Sequence, residues 1–286
     1  MNRTVPAVSS RRTAAVTGAA SGIGRALALE LAGRGTRLAL ADLDAAGLAA
    51  TVEQVHRLAP AVGGQATATV LDVADRAAVQ DWADATAAGF GADGVQLVFN
   101  NAGVALAATV AETDWADLEW LFGVNFWGVV HGSRAFLPHL LASGQTGPSR
   151  LVNISSVFGL AGVPTQSAYC AAKFAVRGFT ESLRHEVRAA GGGLRVSTVF
   201  PGGVRTGIAR NARTAPGQDG AAMAARHQRA SLTSAERAAR TILRGTLRGR
   251  SRIYVGPDAT AVDLLTRFLG RAAEPLFRYV TTRHER

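Results

Sequence analysis

The sequence predicts a doubly wound α/β fold: one parallel seven-stranded sheet with helices on both faces. Three observations carry that prediction. Short β-type runs alternate with longer helical stretches over the first two hundred residues, the pattern of repeated βαβ units. Runs such as Leu97-Val98-Phe99 and Leu151-Val152-Asn153-Ile154 are apolar almost throughout, as strands covered on both faces must be. A glycine-rich turn, Thr17-Gly18-Ala19-Ala20-Ser21-Gly22-Ile23-Gly24, joins the first such run directly to a helical pattern.

Strands are expected at residues 13–17, 37–41, 66–71, 96–100, 149–155 and 194–200, with a seventh at 252–255 completing the sheet. Helices fill the intervals, for example 22–34 and 167–190, the second stopped by Gly191-Gly192-Gly193. At 286 residues and 48% hydrophobic composition, the chain has material for one large core, so residues 1–286 are expected to form a single domain. Within it, residues 1–11 are expected to be disordered. The weakly patterned stretch 206–231 is expected to form short helices and a substrate loop, and 257–286 a C-terminal amphipathic extension.

Composition narrows the chemistry. No apolar run reaches the roughly 18–20 residues that a membrane helix needs, and the polar start lacks a signal-peptide core, so the chain reads as cytoplasmic. Cys170 is the single cysteine, which excludes an intramolecular disulfide and a cysteine-based metal cluster. The histidines, among them His131, His139 and His185, lack metal-ligand spacing, so no metal is expected. Redox chemistry must then come from a bound cofactor. The net charge of +10 arises entirely after Phe200, where sixteen arginines face six acids. Two readings fit: an anionic partner, or arginine used wherever a solvated cation is wanted.

The glycine turn is the first functional signal. Glycines between strand and helix let backbone approach a pyrophosphate, and the helix N-terminus offers unpaired N–H groups and a favourable dipole. The spacing Gly-x-x-x-Gly-x-Gly departs from the more general Gly-x-Gly-x-x-Gly, but its position between strand and helix still marks a dinucleotide site. Asp42, at the end of the second strand, can accept hydrogen bonds from ribose hydroxyls and would repel a 2′-phosphate. No basic residue stands at position 21 and Leu43 follows Asp42, so NAD is favoured over NADP. Asp42 can also cap the chain before Asp44, a role compatible with the first.

The second signal is Tyr169-Cys170-Ala171-Ala172-Lys173. Tyrosine and lysine four residues apart on a helix share one face. A neighbouring ammonium lowers the pKa of a phenol whose reference value is about 10, which suits Tyr169 to act as a general base. Lys173 is the only lysine among thirty-one basic residues, and a guanidinium is a poor substitute for a compact ammonium beside a phenolate. Thirteen residues before Tyr169, Ser156 ends a predicted strand, where ligands bind in open parallel sheets. Ser156 rather than Ser155 is expected to orient a carbonyl, since strand alternation separates the two side chains.

Taken together, these motifs make the sequence resemble the short-chain dehydrogenase/reductase family over nearly its whole length. The matching elements are the Thr17 to Gly24 turn, Leu71-Asp72-Val73, Asn100-Asn101-Ala102-Gly103, Asn125, Ser156, Tyr169 with Lys173, and Pro201-Gly202-Gly203-Val204-Arg205-Thr206. The resemblance implies a Rossmann-type fold and reversible hydride transfer between a nicotinamide and a secondary alcohol or ketone. It implies that Gly18, Ser21, Gly22, Ile23, Gly24 and Asp42 bind the cofactor, with Asp72 and Val73 at the adenine. Asn100, Ala102 and Gly103 form a cofactor wall, and Pro201, Gly202, Val204 and Thr206 lie by the nicotinamide, Thr206 on its amide. Asn125, Ser156, Tyr169 and Lys173 form the catalytic set, Asn125 holding a water that links Lys173 to solvent and Lys173 also binding the nicotinamide ribose.

Trp115, Trp120 and Trp127 in one helical stretch read as core or subunit packing, and the resemblance implies a homodimer or homotetramer built on this stretch and the Tyr169 helix. Residues 157–166 are mostly apolar and should line a pocket for an apolar alcohol or ketone, while Arg205, Arg210, Arg213 and His227 either hold an anionic group or face water. The basic tail with Leu264, Leu265, Phe268 and Leu269 offers three alternatives: contact with an anionic membrane surface, a cover for the pocket, or packing on a neighbouring subunit. Nucleic acid is not an expected partner. The competing functions are a non-catalytic nicotinamide-binding sensor with a basic tail and an NADP-dependent ketoreductase.

Overall fold

The computed structural model describes residues 12–58, 65–215, 217 and 219–273. The expectation for residues 1–11, and that for the extension beyond residue 273, lie outside the described residues. Seven parallel strands form the central sheet: β1 (Thr13–Thr17), β2 (Arg37–Asp42), β3 (Ala66–Val70), β4 (Leu97–Asn100), β6 (Arg150–Ile154), β7 (Arg195–Pro201) and β11 (Arg252–Val255). Their order is β11-β7-β6-β4-β1-β2-β3. The chain thus starts at β1, winds outward through β2 and β3, then crosses back to β4, which pairs with the other side of β1. That reversal opens a crevice at the carboxyl ends of β1 and β4.

Alternation along each strand sorts the core into two layers. Ala14, Val16, Leu38, Leu40, Leu97 and Phe99 pack beneath α1 (Gly22–Ala32), α2 (Ala45–Leu58) and α8 (Ala235–Leu247). Ala15, Ala39, Val98, Leu151 and Val196 face the opposite way, toward α3 (Arg76–Phe90), α5 (Gly128–Thr146) and α6 (Ser167–Ala190). Both faces of the inner strands are covered, so positions of either parity are buried there, which is why runs such as Leu97–Phe99 read as continuous.

Strand and helix limits match expectation to within two residues, and α6 matches at both ends. Other features were not anticipated. The helix after Asp114 is not regular: α4 (Trp115–Phe122) passes through a π-helical turn, Gly123–Trp127, before α5 resumes. Two short parallel pairs lie off the main sheet, β5 (Leu106–Ala107) with β9 (Arg213–Thr214), and β8 (Val204–Arg205) with β10 (Thr233–Ser234). Within residues 206–231, where short helices were expected, the described residues form α7 (Gly220–Ala230). The extension begins as α9 (Pro257–Leu269), and its faces are reversed from those of a helix docked by its apolar stripe. It buries Ala259 and Asp263 and exposes Leu264 and Phe268. Asp263 is drawn inward because it accepts from the Tyr254 hydroxyl at 2.7 Å and pairs with Arg267 at 2.9 Å.

Candidate active site

The first half of the site is the turn between β1 and α1. Gly18 and Gly22 have φ of 67° and 52°, the left-handed region that glycine adopts without strain. A Cβ on Gly24 would strike the Gly18 carbonyl oxygen, so the third glycine lets helix and turn close on each other. Ser21 is the N-cap of α1, yet its hydroxyl makes no capping hydrogen bond, and the first turn carries no acidic residue. The N–H groups there and the Ser21 hydroxyl remain available to a phosphate. The cradle therefore fits the pyrophosphate of a dinucleotide.

Asp42 stands beside this turn at the end of β2. Its Oδ2 accepts from Ala20 N at 2.8 Å and its Oδ1 from Asp44 N at 3.0 Å, so the carboxylate braces the turn and caps the following residues. Each oxygen keeps a lone pair for a ribose hydroxyl. Asp72 is exposed at the end of β3, where its Oδ1 accepts from Ala74 N at 2.9 Å, whereas the neighbouring Val73 is buried against Gly128 of α5.

The wall formed after β4 is held by residues that motif reading did not promote. Thr17 Oγ1 accepts from Asn101 N at 3.0 Å and Ala102 N at 3.1 Å, and Asn101 Nδ2 donates to Thr17 O at 3.0 Å. These bonds tie the glycine turn to the Asn100–Gly103 turn across the crevice. The Asn100 side chain points away from the crevice. It is 2% exposed and donates to Asn153 Oδ1 at 2.8 Å inside the α5 layer, so it acts on the wall from behind. Gly103 is a point of close approach: a Cβ there would lie 3.1 Å from Asn125 Oδ1 and 3.5 Å from Lys173 Nζ.

The second half of the site lies at the carboxyl end of β6. The two serines diverge as strand alternation predicts: Ser155 Oγ donates to Lys173 O at 2.8 Å, while Ser156 Oγ accepts from Phe158 N at 3.1 Å on the Tyr169 side. Lys173 is buried, its Nζ donating to Ile154 O at 3.3 Å and standing 5.6 Å from the Tyr169 ring centre. Asn125, in the π-helical turn, accepts from Val104 N at 2.8 Å and donates to Val104 O at 2.9 Å. The extra residue in that turn re-aims the backbone toward the wall, a use of π-turns common at functional sites. The structure thus brings Asn125, Lys173, Tyr169 and Ser156 to one end of the sheet.

The electrostatics correct one expectation. Burial pushes the Tyr169 phenol up to about 12, against only a partial lowering by the neighbouring Ser156 hydroxyl. Burial also pulls the Lys173 ammonium down to about 8. In the protein alone, desolvation outweighs the help that Lys173 was expected to give its neighbour.

The loop after β7 returns to the glycine turn. Gly203 N donates to Asp258 Oδ2 at 2.6 Å, Val204 pairs with Thr233, and a Cβ on Gly22 would meet the Thr206 side chain at 3.1 Å. Pro201, Gly202, Val204 and Thr206 therefore lead from the sheet edge to the start of α1. Arg205 and Arg210 line a cavity of about 890 Å³ running along α1 and α8 from Ser21 and Gly22. Arg213 instead ion-pairs with Asp117 and stacks on Trp120, and burial lowers the pKa of His227. Of the expected apolar wall, Leu160 and Ala161 are buried, and Phe158 meets the Tyr169 ring edge-on at 6.1 Å.

A phosphate cradle at a sheet reversal, next to a Ser, Tyr and Lys cluster, defines a dinucleotide-binding oxidoreductase fold. The sequence model of the short-chain dehydrogenases matches residues 12–217, and the chain belongs to that family. It is 50% identical over 266 residues to a putative oxidoreductase, SadH, of Mycobacterium tuberculosis, covering 93% of both chains. Among solved structures it resembles a short-chain dehydrogenase/reductase from Burkholderia phymatum in complex with NAD (35% identity, TM-score 0.81, 90% and 92% of the two chains). It also resembles an alcohol dehydrogenase from the archaeon Thermococcus sibiricus complexed with 5-hydroxy-NADP (25% identity, TM-score 0.63, 72% and 82%). The chain is an oxidoreductase that uses a nicotinamide cofactor on CH–OH groups. Among the described residues, no helix is long and apolar enough to cross a membrane.

Proposed function

We propose that this protein transfers hydride between NAD(H) and an apolar secondary alcohol or ketone, with Tyr169 moving the proton. The observation that carries the reading is the convergence of Ser156 and Tyr169, with Lys173 buried beside the same ring at the open end of the sheet. A bound dinucleotide supplies the hydride acceptor in oxidation and the hydride in reduction. Ser156 holds the reacting oxygen. In reduction Tyr169 donates its hydroxyl proton to the forming alkoxide, and in oxidation its phenolate takes that proton back.

With its pKa near 12, Tyr169 is protonated at neutral pH and stands ready as the acid of the reductive direction. Oxidation requires further positive charge beside the ring. Lys173, with a pKa near 8, is mostly charged at neutral pH, and with Asn125 and Gly103 around it forms the buried end of a proton path.

The glycine cradle and the uncapped Ser21 take the pyrophosphate, Asp42 the adenosine ribose, Asp72 and Val73 the adenine side, and Thr206 the nicotinamide side. The Asp42 carboxylate beside the turn favours NAD, because a 2′-phosphate would meet a negative charge there. Phe158 and Val163 give the pocket an apolar wall. The protein acts in the cytoplasm as a homodimer or homotetramer, with the exposed Trp115, Trp127 and Phe174 on the α4, α5 and α6 side as its contact surface.

The test follows nicotinamide absorbance over a panel of apolar secondary alcohols and ketones with NAD(H) and NADP(H), using Tyr169→Phe as control. Turnover that disappears in Tyr169→Phe while NADH still binds is the expected result. Undiminished turnover in the variant removes Tyr169 from the mechanism, and tighter binding of NADPH than of NADH overturns the reading of Asp42.

A further inference from the structure

The segment between β8 and α8 runs past the site, and most of it lacks a core anchor: α7 buries none of its residues. Its firm attachment lies upstream. β9 runs beside β5, with Arg213 N donating to Ala105 O and Ala215 N to Ala107 O, both at 3.1 Å. The Arg213 guanidinium carbon lies 3.7 Å from the centre of the Trp120 ring, and the same group donates to Asp117 Oδ1 at 2.6 Å. Ala215, two residues on, is buried in a small apolar cluster with Leu106, Ala108, Leu121, Ala168 and Ala172, against which Tyr169 also packs.

That cluster joins four parts of the molecule: the 213–215 stretch, β5 with Ala108, the α4 helix and the first turns of α6. It is also braced from the side of Tyr169. Ala108 N donates to Thr165 O at 2.9 Å, and Thr165, four residues before Tyr169, is a non-glycine residue held at φ 62°. An exposed ion pair alone contributes little. Arg213 does more than pair: its planar guanidinium stacks and donates at once, which a lysine ammonium cannot reproduce.

We propose that Arg213 is a positioning residue that, stacked on Trp120 and paired with Asp117, pins the stretch following β8 against the cluster under Tyr169 and thereby sets the substrate-side wall. The wall's effect on substrate rests on the oxidoreductase reading above, while its effect on the segment's mobility does not. Arg213 lies among neither the cradle residues nor the Ser156, Tyr169 and Lys173 cluster, so cofactor affinity and the proton step should be left in place.

The experiment compares wild type with Arg213→Ala, Arg213→Lys and Asp117→Asn in two measurements. One is amide hydrogen exchange across residues 219–230 with and without NADH, and the other is steady-state kinetics on an apolar secondary alcohol turned over by wild type. In Arg213→Ala, exchange in α7 should accelerate about tenfold and KM for the alcohol rise about fivefold, with kcat and the NADH Kd within about twofold of wild type. Arg213→Lys should behave like Arg213→Ala, and Asp117→Asn should move the same quantities less. Unchanged exchange, restoration of wild-type behaviour by lysine, or a parallel loss of kcat and NADH affinity each overturn the proposal. If Arg213→Ala does not fold, the Asp117→Asn comparison decides. Wild type that neither binds NADH nor oxidises any alcohol refutes the oxidoreductase reading instead, and the exchange measurement still decides the role of Arg213.

Discussion

Replacing Lys173 by methionine should stabilise the protein while abolishing turnover. Lys173 is buried, and its pKa falls from 10.5 to about 8 because burial disfavours the ammonium. A drop of that size means that folding costs the charged form on the order of 3 kcal/mol. Methionine is similar in volume, carries no charge and loses the hydrogen bond to Ile154 O, which contributes about 1 kcal/mol. The net expectation at pH 7 is a gain of about 2 kcal/mol, or a few degrees in Tm. The pH dependence gives the sharper check. Between about pH 8 and 10.5 the unfolded chain keeps a proton that the folded chain has released, so wild-type stability rises with pH across that window. The methionine advantage should therefore shrink above pH 8 and vanish near 10. Urea unfolding of both proteins at pH 7 and pH 9.5, without cofactor, measures it. If Lys173→Met is less stable than wild type at pH 7, or if the difference does not change with pH, the ammonium is compensated in the fold and the argument from desolvation fails.

Other perturbations act on the cradle. Gly24→Ala drives a Cβ into the Gly18 carbonyl, and calorimetric titration with NADH should show affinity lost by at least about tenfold, with a stability loss of about 2 kcal/mol or more. Thr17→Val removes the acceptor shared by Asn101 N and Ala102 N, so two partly buried N–H groups lose their partner. Thermal unfolding should register about 2–3 kcal/mol, and the NADH Kd should rise with it. Asp42→Ala should weaken NADH binding by about 1–2 kcal/mol while leaving NADPH binding unchanged or tighter, read from paired titrations. An equal loss for both cofactors would leave Asp42 only its bracing of Ala20 N and Asp44 N.

Much of this architecture was legible in the linear chain because its signals are local. The glycine turn, the apolar strand runs and the four-residue spacing of Tyr169 and Lys173 each express backbone geometry within a few residues. The choice of Ser156 over Ser155 was legible for the same reason, since successive strand residues point to opposite faces, and Ser155 does turn to the Lys173 carbonyl. The roles of Arg205, Arg210 and Arg213 were not legible. Arg205 and Arg210 line the α1 cavity while Arg213 meets Trp120 and Asp117, nearly a hundred residues earlier, and nothing in local pattern distinguishes the three. The burial of Asp263 on α9 was not legible, because its partners Tyr254 and Arg267 satisfy the carboxylate only once β11 and α9 have packed together.

The sequence by itself determined the order of strands and helices, the dinucleotide turn and the residue types at the site, because each depends on the conformational preferences of neighbouring residues. Tertiary structure decided how those pieces constrain one another. Thr17 and Asn101 tie the two crevice turns together across more than eighty positions, and the π-helical turn aims Asn125 at Val104. Burial, which no single stretch encodes, pushes the Tyr169 and Lys173 pKa values toward their neutral forms. Desolvation depends on everything packed around a group, so the protonation states at this site belong to the folded molecule and not to the Tyr-x-x-x-Lys motif.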